Sequence, residues 1–397
     1  MSIGLRSLRI DVIRGVAILL VLLHHFNIAY RLDDTLLVGA FGWDTVRAVA
    51  RNGNYGVTMF FVISGYLITS NTERRWAGLA NVSARTFYTL RAARILPCLL
   101  LLLAVVNLLA AGGVAIFQNR PQGDEPISFW LVNFASLTFW INVLIGRSGW
   151  FNYPLGVLWS LSVEEVFYLA FPLLCLLLRR EARLLAFWAL VIVAGPFYRL
   201  AHQGDEGDYL YAYAASFDGI AIGCCTTLLA RKVVLRGRAL QVLQGAVAAA
   251  MAVFYLWRPI GQTNILGVTG MAVGTAILLL GARARSADPV RRGSHPLMML
   301  GWLGRLSYEL YLFHLVVLGL MRTAFPPNVR QGASRAGHCN GSLGRRSVRI
   351  SSSIAANIRI QACRPPSSPA ASSSSARMAA CSSASRPCRS SSSLAQR

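Results

Sequence analysis

Long runs of apolar residues, separated by short polar segments, dominate the first 325 residues of the chain. An α-helix needs about 20 apolar residues to cross the hydrocarbon core of a bilayer. Besides nine such stretches there is a segment, 127–146, that is more aromatic and more polar. The pattern predicts an all-α, polytopic transmembrane helix bundle with about 9–10 spans. The nine stretches are 10–30, 54–70, 95–113, 159–178, 184–200, 209–230, 239–257, 264–282 and 303–325.

Basic residues are concentrated in four polar segments, 71–94, 179–183, 231–238 and 283–292. Because cytoplasmic loops carry an excess of Lys and Arg, we expect these segments and the N-terminus in the cytoplasm. Because the segments 71–94 and 179–183 are then on the same side, the chain must cross the membrane an even number of times between them. The pattern offers three candidate crossings there: 95–113, 127–146 and 159–178. The segment 127–146 is therefore expected to be re-entrant or interfacial, unless a further crossing is present.

The composition, 55% hydrophobic and 14% charged, is typical of a polytopic membrane protein. The formal net charge of +23 is not a sign of nucleic-acid binding. Eleven of these positive charges lie in 326–397, and most of the others lie in short loops, where they set the topology. The spacing of the eight cysteines predicts neither a metal site nor a disulfide framework.

The apolar pattern ends near residue 325 and divides the chain into a membrane domain, 1–325, and a tail, 326–397. The tail is rich in Ser, Ala, Arg and Pro, lacks Asp, Glu and Lys, and has no hydrophobic periodicity, so we expect it to be disordered. So abrupt a change of composition is what a frameshift in a GC-rich gene would produce. The alternative is a genuine disordered extension.

The first stretch carries Arg14 near its start and His25 near mid-depth. Eleven residues bring His25 to within roughly 20° of the helix face of Arg14, about 16 Å further along the axis. Ionisable side chains at membrane depth usually face the interior of a bundle and mark function. The alternative is that Arg14 is a positive-inside anchor and His25 a packing residue.

Five short motifs follow one another along the membrane domain. They are Arg14-Gly15 with His25-Phe26; Phe60-Phe61-Val62-Ile63-Ser64-Gly65-Tyr66-Leu67-Ile68; Arg91-x-x-Arg94-Ile95-x-Pro97; Trp159-Ser160-Leu161-Ser162-Val163-Glu164-Glu165-x-Phe167-Tyr168; and Ser307-Tyr308-x-x-Tyr311-Leu312-Phe313-His314. Each motif is weak by itself. Together, in this order, they closely resemble the acyltransferase 3 family of bacterial integral-membrane acyltransferases over about residues 5–325.

The resemblance implies transfer of an acyl group, often acetyl, to a hydroxyl of a carbohydrate or glycolipid. It implies acyl-CoA as the co-substrate from the cytoplasmic side, with no bound cofactor and no metal. It also places the protein in the bacterial inner (plasma) membrane. The partners we expect are therefore acyl-CoA, a carbohydrate or glycolipid acceptor and the lipid bilayer, and not nucleic acid.

If the protein is such an acyltransferase, His25 is the candidate general base or transient acyl acceptor, because the pKa of an imidazole lies near operating pH. Arg14 is a permanent cation and a candidate to stabilise an oxyanion or to hold the donor. Arg91 and Arg94 lie three apart on one helix face, as a phosphate clamp for coenzyme A requires. Their alternative role is positive-inside anchoring. The site is expected between the first, second and third spans.

Four further residues are candidates to bind the acceptor or support the site. Glu164, a candidate catalytic residue, lies four residues before Tyr168 and is suited to bind acceptor hydroxyls. Glu165 follows Ser162 by three residues, so a capping box is its structural alternative. Asp218 lies in mid-span without a local cation and needs a partner, either a ligand or an arginine.

His314 and Ser64 complete the candidate set. His314 belongs to the late Tyr-Leu-x-His motif, where helix packing and substrate contact are both open. Ser64 precedes Gly65, and this pair favours close helix approach over a nucleophile. The residues leave two alternatives open. The protein could be a glycolipid or polysaccharide transporter or flippase, or it could be an inactive truncated member of the family.

Overall fold

A computed structural model describes residues 7–120, 127–232, 237–282 and 295–326. These residues form α-helices joined by loops and short helical turns, without a β-strand. The predicted all-α fold is therefore confirmed. The predicted tail beyond Pro326 lies outside the described residues. The helices are α1 (Leu8–Tyr30), α2 (Leu36–Phe41), α3 (Trp43–Ala50), α4 (Asn54–Trp76), α5 (Ala84–Ala111), α6 (Phe129–Leu137), α7 (Ile141–Ser148), α8 (Leu158–Leu178), α9 (Glu181–Ala201), α10 (Tyr213–Leu229), α11 (Gly237–Trp257), α12 (Ile260–Leu279), α13 (His295–Arg305) and α14 (Ser307–Ala324).

Seven of the described helical segments are individually long and apolar enough to cross a membrane, which confirms a polytopic bundle. The pair α13 and α14, bent by 77°, makes an eighth if it is one span. The predicted span 303–325 is thus a bent pair, with the break at Leu306.

Helix α4 occupies the centre of the bundle. It has 23 residues, about 34 Å of helix, and fifteen of them are buried. Its Asn, Thr and Ser residues make it less apolar than the other long helices. Neighbouring helices cover it, so its sequence does not need the apolar surface that lipid demands.

Helix α5 begins at Ala84, about ten residues before the predicted span 95–113. Ser83 caps its first turn by accepting a hydrogen bond from the backbone N–H of Thr86. Pro97, expected in the first turn, therefore lies inside the helix, and Arg91 and Arg94 lie within it as well. Apolar windows miss this first part of α5 because it is polar.

The ends of the helices define two sides of the bundle, which we call the near side, where α1 begins, and the far side. Arg9 donates to the carbonyl of Leu280, so α12 ends on the near side. Arg231 pairs with Glu73 at 2.7 Å and with Glu181 at 2.9 Å. The ends of α4 and α10 and the start of α9 therefore share one side, as the basic segments predict.

The segment 127–146 forms α6 and α7, of nine and eight residues, each shorter than a membrane span. Both helices lie on the far side. Asn107, near the end of α5, donates a hydrogen bond to the side-chain oxygen of Asn133 on α6. Asn142 on α7 donates to the carbonyl of Tyr211. The loops before and after them also meet, because Asn152 donates to the Phe117 carbonyl. The segment enters and leaves on one side, so only α5 and α8 cross between the two basic segments.

Glycines bring α4 and α10 into backbone contact. A Cβ added to Gly65 would lie 2.0 Å from the carbonyl oxygen of Ile220, and one added to Gly223 would lie 2.1 Å from that of Val62. No side chain fits at either position, so the two helices approach as closely as their backbones allow.

We expect Gly223→Ala to destabilise the bundle, because the added methyl must push α4 and α10 apart. Overpacking of this kind costs about 1–3 kcal/mol. Thermal unfolding of the purified protein in detergent measures the effect. Gly270→Ala is the matched control, since a Cβ there meets nothing within 4 Å. Equal unfolding temperatures for the two variants would contradict the close contact.

Candidate functional site

A cavity of about 850 Å³, including its open side, lies between α1, α4, α5, α8 and α14. We call it the arginine cavity, because three of its four charged lining residues are arginines. Its charged lining residues are Arg14, Arg91, Arg94 and Glu164; its uncharged lining residues are Val57, Phe60, Phe61, Ile63, Ser64, Leu67, Ile95, Ser160, Leu161, Tyr168, Ser307, Tyr308, Tyr311 and Leu312.

Arg14 reaches the cavity from the second turn of α1. Its Nε donates to the hydroxyl of Ser307 at 3.0 Å. Ser307 is the first residue of α14, directly after the break at Leu306. Tyr308 donates to the carbonyl of Ile95 at 3.2 Å, which ties the same turn to α5. The bend in the last helix pair therefore brings α14 to the guanidinium.

Arg91 and Arg94 enter the cavity from one face of α5. The guanidinium of Arg91 lies over the ring of Tyr168, 4.4 Å from its centroid, in a cation–π contact. The hydroxyl of Tyr168 is hydrogen-bonded to that of Ser64. The Tyr168 ring thus positions Arg91, and Ser64 on α4 positions the ring.

The two neighbouring glutamates of α8 have different surroundings. Glu164 lines the arginine cavity, whereas Glu165 is buried beside it, and its Oε1 has no hydrogen-bond partner among the described residues. The capping box expected from Ser162 does not form. Helix α8 begins at Leu158, four residues earlier, and Ser162 donates to the Leu158 carbonyl at 3.0 Å from inside the helix.

His25 lies beyond the arginine cavity, towards the far side. Its ring centroid is 4.8 Å from that of His314, and the ring of His314 is 5.8 Å from that of Tyr311 in the cavity wall. Two rings therefore separate His25 from the cavity. Arg14 and His25 still face the same helix, α14, where Ser307 meets Arg14 and His314 meets His25.

Backbone carbonyls fix the protonation pattern of both rings. The Nδ1 of His25 is 3.0 Å from the Val21 carbonyl, and the Nδ1 of His314 is 2.7 Å from the Tyr311 carbonyl. Because a carbonyl only accepts, each neutral ring carries its proton on Nδ1 and a lone pair on Nε2. The Nε2 of His314 is buried with no hydrogen-bond partner among the described residues.

A family model described as "Acyltransferase domain" matches residues 7–343. The chain belongs to the acyltransferase 3 family. Among its relatives, the peptidoglycan O-acetyltransferase OatA of Listeria monocytogenes is 30% identical over 166 residues, 41% of this chain and 23% of that protein. A putative O-acetyltransferase of Staphylococcus aureus (strain COL) is 24% identical over 336 residues, 80% of this chain and 51% of that protein.

Nodulation protein 10 of Rhizobium leguminosarum bv. viciae is 27% identical over 287 residues, 66% of this chain and 71% of that protein. The chain therefore spans about a quarter and about half of the first two relatives. No solved structure matches it.

Asp218, a candidate site residue, lies outside the arginine cavity of this family member. Its carboxylate forms a bidentate pair with Arg199 on α9, at 2.7 and 3.1 Å, and both side chains are fully buried. Thr269 donates to the same carboxylate at 2.6 Å. Of the two partners open to Asp218, a ligand or an arginine, the fold supplies the arginine.

We expect Asp218→Asn to destabilise the protein and not to act on substrate binding. Breaking a buried ion pair leaves an uncompensated charge and costs about 3–5 kcal/mol. The yield of monodisperse protein in detergent and its unfolding temperature measure the loss. Asp44→Asn, at an exposed carboxylate on α3, is the control. A stable variant with altered substrate affinity would contradict a structural role.

Four polar residues of the cavity wall had no role predicted from the sequence. Ser160 and Tyr311 share a hydrogen bond at 2.7 Å, and Ser307 and Tyr308 hold the start of α14. All four belong to the quoted motifs, so the signal was present. Arg199 was missed because it lies in an apolar stretch outside every motif.

Proposed function

We propose that this protein is a membrane O-acyltransferase. It would move an acyl group, normally acetyl, from acyl-CoA to a hydroxyl of a carbohydrate or glycolipid of the cell envelope. The observation that carries the proposal is the arginine cavity: three guanidinium groups and a carboxylate share a space inside a membrane bundle. Such charges at membrane depth are costly and mark a site for a charged ligand.

Coenzyme A suits this cavity because it carries several phosphates, and guanidinium groups bind phosphate through paired hydrogen bonds. In this proposal Arg91, Arg94 and Arg14 hold the phosphate end of the donor. Acyl-CoA is a cytoplasmic compound, so the near side faces the cytoplasm of a bacterial inner membrane. The described basic residues at the near-side ends of α4 and α10, such as Arg75 and Arg231, agree with that orientation.

The acceptor is inferred from the relatives. One is named a peptidoglycan O-acetyltransferase and another a putative O-acetyltransferase. Both names describe esterification of a hydroxyl, and the first names a cell-envelope polysaccharide. We therefore assign this chain a carbohydrate-type acceptor that approaches from the far side, with Glu164 as a candidate to bind its hydroxyls.

The reaction needs one base. The acceptor hydroxyl oxygen attacks the thioester carbonyl carbon while its proton passes to the Nε2 lone pair of His25. The C–S bond then breaks, and the same proton passes to the departing thiolate to give free coenzyme A. Arg14, about 16 Å from His25 along α1, takes no part in this step and acts on the phosphate end of the donor. Alternatively, His25 carries the acyl group transiently and hands it to the acceptor.

Acetyl transfer in membrane vesicles tests the proposal. Vesicles containing the chain receive acetyl-CoA labelled in the acetyl group, with envelope polysaccharide as acceptor, and the polysaccharide is assayed for alkali-labile label. Incorporation above vesicles without the chain is expected. Movement of a fluorescent glycolipid between leaflets without any acetyl donor would instead indicate a flippase. Well-inserted protein that gives neither signal would indicate an inactive family member.

A further inference from the structure

A second, smaller cavity, a narrow cleft with about 270 Å³ of empty space including its open side, lies in the far half of the bundle. Its walls come from the first turns of α4 and α8, the segment before α10, the first turn of α10, and α12. Most of its lining is apolar or aromatic, including Trp159, Leu210, Ala215, Ile260 and Val268. Nothing in the proposed reaction uses this space.

Among the described residues, two line both cavities, Val57 and Phe61 on α4. Phe61 is 3% exposed, and its ring packs edge-on against Trp159 with centroids 6.1 Å apart. Its Cβ lies 3.4 Å from the position a Cβ would take at Gly219. Phe61 and Val57 therefore lie between the arginine cavity and the second cavity, and the ring of Phe61 is the larger of the two side chains.

The partition that these two residues form lies at the uncharged end of the arginine cavity. Along α4, Phe61 lies about 4.5 Å and Val57 about 10 Å from Ser64 towards the far side. Arg14, Arg91 and Arg94 lie in the near-side halves of α1 and α5. A donor whose phosphates meet the arginines would direct its acyl group towards Phe61.

We propose that Phe61 sets the length of the acyl group: its ring closes the arginine cavity, and without it a longer, medium-chain acyl group extends into the second cavity. This inference rests on the proposed acyl transfer from acyl-CoA. With the native ring, the space beyond the thioester admits a short acyl group such as acetyl. The second cavity is an apolar extension that the wild-type protein keeps separate.

The test compares acetyl-CoA with hexanoyl-CoA in the vesicle assay, as the ratio of their kcat/KM values. Discrimination of one methylene in an apolar pocket reaches about tenfold or more, so Phe61→Ala should raise the hexanoyl-to-acetyl ratio by at least about tenfold. Phe61→Leu, which disturbs packing less, should shift it in the same direction by a smaller factor.

Two further variants distinguish removal of the Phe61 partition from a general enlargement of the arginine cavity. Phe60→Ala removes the neighbouring ring, which lines the arginine cavity but not the second one, and should leave the ratio near the wild-type value. Adding Ala215→Leu to Phe61→Ala fills the second cavity and should return the ratio towards wild type. Ala215 is buried in that cavity and lines only it.

An unchanged ratio in folded Phe61→Ala and Phe61→Leu proteins that still transfer acetyl would overturn the inference. An equal rise in Phe60→Ala would also overturn it, because enlargement of the arginine cavity would then be sufficient. A wild-type protein that transfers acyl groups from no acyl-CoA would refute the proposed function itself, a result visible before any variant is compared.

Discussion

His25→Ala should lower kcat for acetyl transfer by about 10²–10⁴-fold, the contribution typical of a general base. The KM for acetyl-CoA should change little, because His25 does not line the arginine cavity and contacts His314 instead. Initial rates in vesicles over a range of acetyl-CoA concentrations separate the two parameters.

His24→Ala is the matched control for this prediction. His24 is the neighbouring histidine, and its Nδ1 lies 3.0 Å from the Ala50 carbonyl, so its ring joins α1 to the end of α3. We expect acetyl transfer by this variant to remain within a few-fold of wild type. A kcat for His25→Ala equal to that of His24→Ala would reduce His25 to a packing residue.

Arg94→Ala should raise the KM for acetyl-CoA, because it removes a charge that we assign to the donor phosphates. A hydrogen bond to a charged group contributes about 1.5–3 kcal/mol, which corresponds to roughly 10–150-fold in affinity. Arg94→Lys should recover only part of this loss, since an ammonium keeps the charge but not the paired hydrogen bonds. The measurement is KM for acetyl-CoA, with dephospho-CoA and coenzyme A as competing inhibitors.

Arg85→Ala provides the comparison on the same helix. Arg85 is exposed near the start of α5 and does not line the cavity, so its loss should leave KM unchanged. A similar rise in KM for both variants would point to general surface charge and against a donor site. An Arg94→Ala protein with unchanged KM and reduced kcat would move Arg94 from donor binding to transition-state stabilisation.

Hydrophobic pattern alone located the long helices, because the bilayer requires each span to satisfy its backbone internally and to present apolar side chains. Hydrophobic pattern was less precise for helices, or parts of helices, that do not contact lipid and so need no apolar surface. Helix α4 can carry more polar residues because other helices cover it, and α5 starts about ten residues before the predicted span because its first turns are polar. The parity of the basic segments correctly marked 127–146 as an unusual segment, and tertiary contacts showed that it stays on one side.

Helical phase correctly placed Arg14 and His25 on one face, since both meet α14. It did not reveal that they meet different parts of that helix, at Ser307 and at His314. The rise of the helix separates them by about 16 Å. Packing between helices decides which residue of α14 lies level with each residue of α1, and here the bend at Leu306 sets that alignment.

The sequence by itself determined that this protein is an α-helical membrane bundle of the acyltransferase 3 family, with ionisable groups at membrane depth. Only the tertiary structure decided which of those groups share a space. Arg14, Arg91, Arg94 and Glu164 line one cavity, whereas Asp218 is paired with Arg199. The physical reason is that periodicity and spacing act within one helix, whereas the partner of a buried charge is chosen by contacts between helices far apart in the chain.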